Sequence, residues 1–205
     1  MKKIAVVGAS GHGKVIADLA EACGYQVFFF DDAFPEKTHL EHWAVLGSFD
    51  DLFAQPDAFP SVFVAIGNNA IRAKLANQLQ AHGFTLPVLI HPSAVISQYA
   101  SIASGSAVLA NVVVNAFAKV AQNCIINTAA VVEHDCILEE AVHLSPNVAL
   151  AGNTKVNAFS WLGIGSVTKQ GVEIGTNTII GANSTVLENI PANVTAVGSP
   201  ALIKK

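Results

Sequence analysis

The chain is short of charge: 13% of its 205 residues are Asp, Glu, Lys or Arg, and the formal net charge is only -4. That leaves no basic footprint for nucleic acid or for an anionic membrane surface. Cysteine is scarce too. The three present (Cys23, Cys124 and Cys136) have no paired spacing, which argues against a disulfide scaffold or a zinc site, and no metal is expected. Long apolar runs are also missing. Hydrophobic content is 52%, yet Gly, Asn and Ser break it before any run reaches the ~18 residues needed to cross a bilayer. The opening MKKIAVVGAS mimics a signal peptide for a few residues, but its apolar run stops at Gly8 and reads as a buried first strand. These absences imply a cytoplasmic protein that buries a real core and does not insert in a membrane.

Residues 1–90 alternate strands with helices. IAVVG (4–8) reads as a buried strand, GASGHG turns into the helical KVIADLAEACG, and YQVFFFDD is a second strand ending in two carboxylates. SVFVAIG (61–67) is another buried strand, followed by the helical NAIRAKLANQLQAHG, whereas Asp32 to Ser61 shows no clear period. Such alternation predicts a small parallel sheet in a Rossmann-like α/β domain. GASGHG between strand and helix is a phosphate-binding turn, because glycine lets backbone approach and a helix N-terminus favours anionic oxygens. Asp31 and Asp32 fall about 20 residues further on, where a Rossmann acid meets ribose. Both a dinucleotide and a nucleotide sugar fit this pattern. One mononucleotide-sized half favours the nucleotide sugar.

After His91-Pro92 the period becomes six. Every sixth residue from Ile96 to Val186 makes a set of sixteen, of which fifteen are Ile, Leu or Val, with Thr168 the exception. The residue two places before each is small or β-branched, as at Ala94, Cys124, Cys136, Thr154 and Ser184. This hexapeptide repeat predicts a parallel β-helix over 91–205, three hexads to a triangular coil. Residues i and i+18 then stack about 4.8 Å apart, the spacing of paired strands. Gly or Asn at Asn115, Asn127, Asn157, Gly163, Gly175 and Gly181 marks the expected corners with positive φ. His143 lies between inward Val142 and Leu144, and His134 sits two places past Val132, so both rings should stand outside the core. Flat, repetitive faces suit self-association, with sites between neighbouring prisms.

The ordered set GASGHGKV (8–15), FFFDD (28–32), VAIGNNAIR (64–72), LIHPSA (89–94), INTAAVVEHDC (126–136) and AGN (151–153) resembles the sugar-nucleotide O/N-acyltransferases of the sialic-acid and bacillosamine type. The likeness spans nearly the whole chain and is strongest to UDP-4-amino-sugar N-acetyltransferases. It implies a left-handed β-helix that forms a homotrimer and binds acetyl-CoA, preceded by a domain for a UDP-amino-sugar. By the same resemblance His134 is the general base and Asp135 its carboxylate partner. His143, Ile164, Ala182 and Asn127 are implied contacts to acetyl-CoA, with Gly152 a backbone N–H donor to the thioester oxygen. Ser10, Gly11, His12, Asp31, Asp32 and Gly67 are implied contacts to the sugar nucleotide, with Asn68 and Arg72 as neighbours. Two positions depart from the family: Asp135 is shorter than the Glu often found there, and Leu202 stands where Lys or Arg often follows Gly-x-Pro-Ala.

The chemistry agrees with this cast. A sugar amine needs a proton acceptor as it attacks a thioester, and histidine titrates near neutrality. An adjacent carboxylate would fix the tautomer and stabilise the imidazolium. A thioester is already activated, so neither a metal nor a covalent intermediate is required. The expected reaction is acetylation of the 4-amino group of a UDP-4-amino-4,6-dideoxy-N-acetylhexosamine, giving UDP-N,N'-diacetylbacillosamine for glycan biosynthesis. Acetylation of sialic acid oxygens or of GDP-perosamine remains open, as does a non-catalytic nucleotide-sugar-binding scaffold.

Overall fold

The structure is a computed structural model and describes residues 2–204. It divides into two compact units, one ending at Leu89 and the other beginning at Ile90.

In the first unit, β1 (Lys2–Val7), β2 (Tyr25–Phe30), β4 (Trp43–Gly47) and β5 (Val62–Val64) are parallel, and β3 (His39–Leu40) adds antiparallel at the edge. The sheet order is β3-β4-β2-β1-β5. Its strands carry continuous apolar runs because a parallel sheet is covered on both faces. Phe29, Phe30, Val62 and Phe63 are accordingly buried. α1 (Gly11–Ala22) follows β1, α2 (Phe49–Phe53) follows β4, and α3 (Asn69–Ala81) follows β5. The segment without a clear period, 32–61, thus holds β3, β4 and α2, and β4 extends the parallel sheet. Chain order reverses between β1 and β5, so the turns after these two strands flank the crevice where open α/β sheets take ligands.

The second unit is a left-handed parallel β-helix. Two-residue strands recur every six residues from β6 (Leu89–Ile90) through β7 (Val95–Ile96) to β22 (Thr185–Val186), followed by β23 (Thr195–Val197) and β24 (Leu202–Ile203). Pairing joins residues 18 apart, as in Val95↔Val113 and Val113↔Val131. The second residue of each strand and the small residue two places before it point inward. Val114, Val132, Leu144, Leu150, Leu162, Cys124 and Cys136 form one buried column of core. Each such aliphatic side chain is worth roughly 1.5–3 kcal/mol of burial.

The corners depart from the sequence expectation. Positive φ falls three residues after the inward aliphatic, at Asn111, Asn123, Asp135, Asn147 and Asn153 among others, and not one residue after it. The expected corner glycines serve close approach instead: a Cβ on Gly163 would lie 2.7 Å from the Ala182 amide nitrogen, and one on Gly181 2.7 Å from Val197. Thr168, the one polar residue in the aliphatic series, is buried all the same.

Candidate active site

His134 and Asp135 occupy the turn between β13 (Val131–Val132) and β14 (Ile137–Leu138), on the edge between the first face of the prism, the sheet that holds β7 and β13, and the second, the sheet that holds β14; the third face is the sheet that holds β6. Asp135 takes φ +59°, a left-handed conformation that Asp and Asn accept more readily than most residues. Its carboxylate accepts a hydrogen bond from His134 Nδ1 at 2.8 Å. Both side chains remain open to solvent, at 61% and 56% exposure, so the pair contributes little to stability and is free to act. With Nδ1 committed to Asp135, Nε2 is left as the proton acceptor.

One coil on, Gly152 lies against that ring. A Cβ there would stand 2.5 Å from His134 Nε2 and 2.6 Å from Cε1, so only glycine admits the imidazole in this position. An open cleft of about 390 Å³ is lined by His134, Gly152, Asn153, Gln170 and Gly171. Among the described residues no group accepts a hydrogen bond from the Gly152 amide. An imidazole with an open Nε2 and an unbonded backbone N–H thus share one cleft. Asn153, Gln170 and Gly171 were not singled out from sequence. The 18-residue stacking could have found Gln170, which sits 36 residues after His134 on the same edge, and Gly171, which sits 36 after Asp135.

The remaining β-helix candidates lie elsewhere. His143 opens β15 (His143–Leu144) on the third face, where its ring stacks on Trp161 at 5.9 Å between centroids and 17° between planes. Trp161 in turn donates from Nε1 to Ser145 Oγ at 2.8 Å. Asn127, Ile164 and Ala182 fall on the edge between the third and first faces; Ile164 is half exposed, and Asn127 Oδ1 accepts from the Thr128 amide. One prism therefore groups His134, Asp135 and Gly152 on one edge, and Asn127, Ile164 and Ala182 on another, with His143 on the adjoining face.

In the first unit the nucleotide-sugar candidates collect at the C-terminal ends of the strands. Ser10 is the N-cap of α1 but makes no side-chain cap, and no acidic residue occupies that helix's first turn, so its amides face outward for an anion. Asn68 by contrast caps α3, its Oδ1 accepting from the Ile71 amide at 3.0 Å. A Cβ on Gly11 or Gly67 would meet nothing in the protein, which leaves both backbones open to close approach. Asp31 accepts from the Ala9 amide at 2.6 Å and from the Ala33 amide at 3.0 Å, tying the end of β2 to the glycine turn. Asp32 accepts from the Phe49 amide at 3.0 Å and stays exposed. Arg72 is not a surface cation. It is buried, and its guanidinium donates to the Ile66 and Gly67 carbonyls at 2.9 and 3.2 Å and to Asn69 Oδ1 at 2.8 Å. Burial, reinforced by the Arg72 charge, lowers the pKa of His12 to about 4, so its imidazole is neutral at physiological pH.

Residues 3–79 match the family model described as the PglD N-terminal domain. The perosamine N-acetyltransferase of Caulobacter crescentus, solved with CoA and GDP-perosamine, is 38% identical with a TM-score of 0.96, over 100% of this chain and 98% of that one. The acetyltransferase domain of PglB from Neisseria gonorrhoeae, solved with acetyl coenzyme A, is 40% identical with a TM-score of 0.95, over 99% of both chains. The UDP-N-acetylbacillosamine N-acetyltransferase of Bacillus subtilis is 37% identical over 114 residues, 54% of this chain and about half (52%) of that relative. With identity of this order sustained from end to end, the chain belongs to the sugar-nucleotide acetyltransferases of the bacillosamine and perosamine type.

Proposed function

We propose that this protein moves an acetyl group from acetyl-CoA to the 4-amino group of a UDP-linked 4-amino-4,6-dideoxy-N-acetylhexosamine in the cytoplasm. The observation that carries it is the cleft where His134 Nε2 lies over Gly152, with Asp135 bonded to the opposite ring nitrogen. The neutral amine attacks the thioester carbon, a C–N bond forms, and the carbonyl oxygen gathers negative charge. The Gly152 N–H stabilises that oxygen, and His134 Nε2 takes the proton released by the nitrogen, while Asp135 steadies the imidazolium. Collapse breaks the C–S bond, and the CoA thiolate leaves, taking a proton. Cys124 and Cys136 face the core and take no part. Ser10, Gly11, Gly67 and the exposed Asp32 receive the nucleotide sugar, with His12 contributing a neutral imidazole.

The acetyl-CoA candidates on the edge with Ile164 complete this site from a neighbouring subunit of a homotrimer. Two observations support that assembly. The His134 and Ile164 edges are separate within one prism, and the first face shows solvent an apolar outward column of Val95, Val113, Val131, Ala149 and Val167, with Val95 at 65% exposure. The likeness to the Caulobacter enzyme over the whole chain favours GDP-perosamine as the second acceptor to try. The test is CoA release from acetyl-CoA with a panel of UDP-4-amino-sugar, GDP-perosamine and sialic acid, for wild type and His134→Ala. Turnover with the UDP-amino-sugar, falling by roughly 10²–10⁴ in His134→Ala with circular dichroism unchanged, is expected. Release of no CoA with any acceptor refutes an enzyme and leaves a nucleotide-sugar-binding scaffold.

A further inference from the structure

From Ser97 to Gly181 the amide that follows each inward aliphatic residue donates to a backbone carbonyl one coil further on, as in Glu133 to Leu150, Ser145 to Leu162 and Lys169 to Val186. Among the described residues Ala151 breaks the pattern. Its amide donates instead to the Thr168 hydroxyl at 3.0 Å, and the paired strands at that coil keep one residue pair where their neighbours keep two. Thr168 is the one residue of the aliphatic series able to do this. Its oxygen lies 3.0 Å from Thr154 Oγ1, and Thr154 donates to the Ala151 carbonyl at 2.7 Å. One proton per hydroxyl closes the set into a ring: Ala151 N–H to Thr168, Thr168 to Thr154, Thr154 to Ala151 C=O. Both threonines are buried inside the prism.

The ring acts on the peptide that the mechanism uses. The Ala151 carbonyl and the Gly152 N–H belong to one trans peptide unit, so they point in opposite directions. The carbonyl is drawn inward by Thr154 Oγ1 at 2.7 Å and by Cys136 Sγ at 3.3 Å. The Gly152 N–H is thereby turned outward, toward the cleft that holds the His134 ring. A hydrogen bond received at the carbonyl also polarises the N–H of the same unit. We infer that Thr154 and Thr168 are positioning residues for the oxyanion-stabilising amide, a device built into the core of the prism beneath the site. The inference rests on the acetyl-transfer reading of Gly152.

The experiment compares Thr154→Val, Thr168→Val and Thr168→Ser with wild type. Valine keeps the shape and belongs to the residue classes these two positions take throughout the repeat, so folding should hold, and a thermal melt checks it. Both valine variants should lose about 10- to 100-fold in kcat, a part of what a lost oxyanion donor costs. The acetyl-CoA KM should change less than about threefold, because one hydrogen bond to the thioester is a small part of what holds the whole coenzyme and it strengthens as charge develops on the oxygen. Thr168→Ser keeps the hydroxyl and should restore most of the rate. Isotope-edited infrared of bound acetyl-CoA, labelled at the thioester carbon, reads the amide directly: the carbonyl band should shift to lower frequency in wild type and return toward the free value in Thr154→Val. A wild-type shift that persists in Thr154→Val, or unchanged kcat in both valine variants, overturns the inference alone. A wild-type band at the free frequency overturns the role of Gly152 and the inference with it.

Discussion

Gly152→Ala is the sharpest single test of the edge described above. An added Cβ would stand 2.5 Å from His134 Nε2, where ordinary contact begins near 3.4 Å, so the ring must retreat by about 0.9 Å. It can do so, because the side chain is 61% exposed. Gly152 does not hold a positive φ, so alanine is tolerated by the backbone and even trims unfolded-state freedom, worth roughly 0.4–1 kcal/mol in favour of the fold. Stability should therefore stay within about 1 kcal/mol of wild type. Catalysis should not. A displacement of about 1 Å in a positioned group costs on the order of 10²-fold. Steady-state kinetics should show kcat down by about that factor, with the sugar-nucleotide KM little changed, since the contacts proposed for that ligand belong to the first unit. Calorimetry on the same sample separates lost alignment from lost fold. Full turnover in folded Gly152→Ala would refute the placement of His134 as the base.

Lowering pH should destabilise the first domain through His12. Its folded pKa of about 4 lies below the ordinary 6.5, so as pH falls from 6.5 the unfolded chain gains a proton that the folded chain refuses. The loss approaches about 2–3 kcal/mol near pH 4.5 and levels off below pH 4. Urea unfolding at pH 7.5 and 4.5 should show a smaller fall in His12→Gln, and equal falls would refute burial as the cause. Val167→Asp puts a charge into the apolar column of the first face, whose Val167 is 37% exposed. Light scattering should show a trimer mass for wild type and a single-chain mass for the variant, with activity lost alongside; a variant that stays trimeric would exclude that face as the interface.

Much of this was legible because a β-helix writes its geometry into an exact count. Six-residue spacing placed His134 on a corner and His143 on a face, and both positions follow from where Val132, Val142 and Leu144 must point. The corner conformation was less legible. Asn and Gly recur both one and three residues after the aliphatic, and composition alone does not say which site needs positive φ and which needs room for a neighbouring backbone. Arg72 reads from sequence only as a neighbour of the nucleotide-sugar contacts, with nothing in its surroundings to say that it is buried. In the structure the carbonyls of Ile66 and Gly67 draw it inward, a tertiary demand that no periodicity records. Thr168 looked like a weak point in the repeat for a related reason. Its worth lies in Thr154 and Ala151, fourteen and seventeen residues away, which become its neighbours only when coils stack.

The proposed base and the proposed oxyanion donor are separated by a single coil, 18 residues of continuous chain from His134 to Gly152. Catalytic groups usually converge from distant parts of a sequence, and their geometry then waits on the whole domain. Here two neighbouring rungs suffice to set it, and the rest of the ladder mainly keeps those rungs level. The site accordingly obeys a length rule. Whole turns can be gained or lost on either side of these two coils without moving His134 relative to Gly152, whereas a single residue inserted between 134 and 152 would shift one group to the wrong side of the edge.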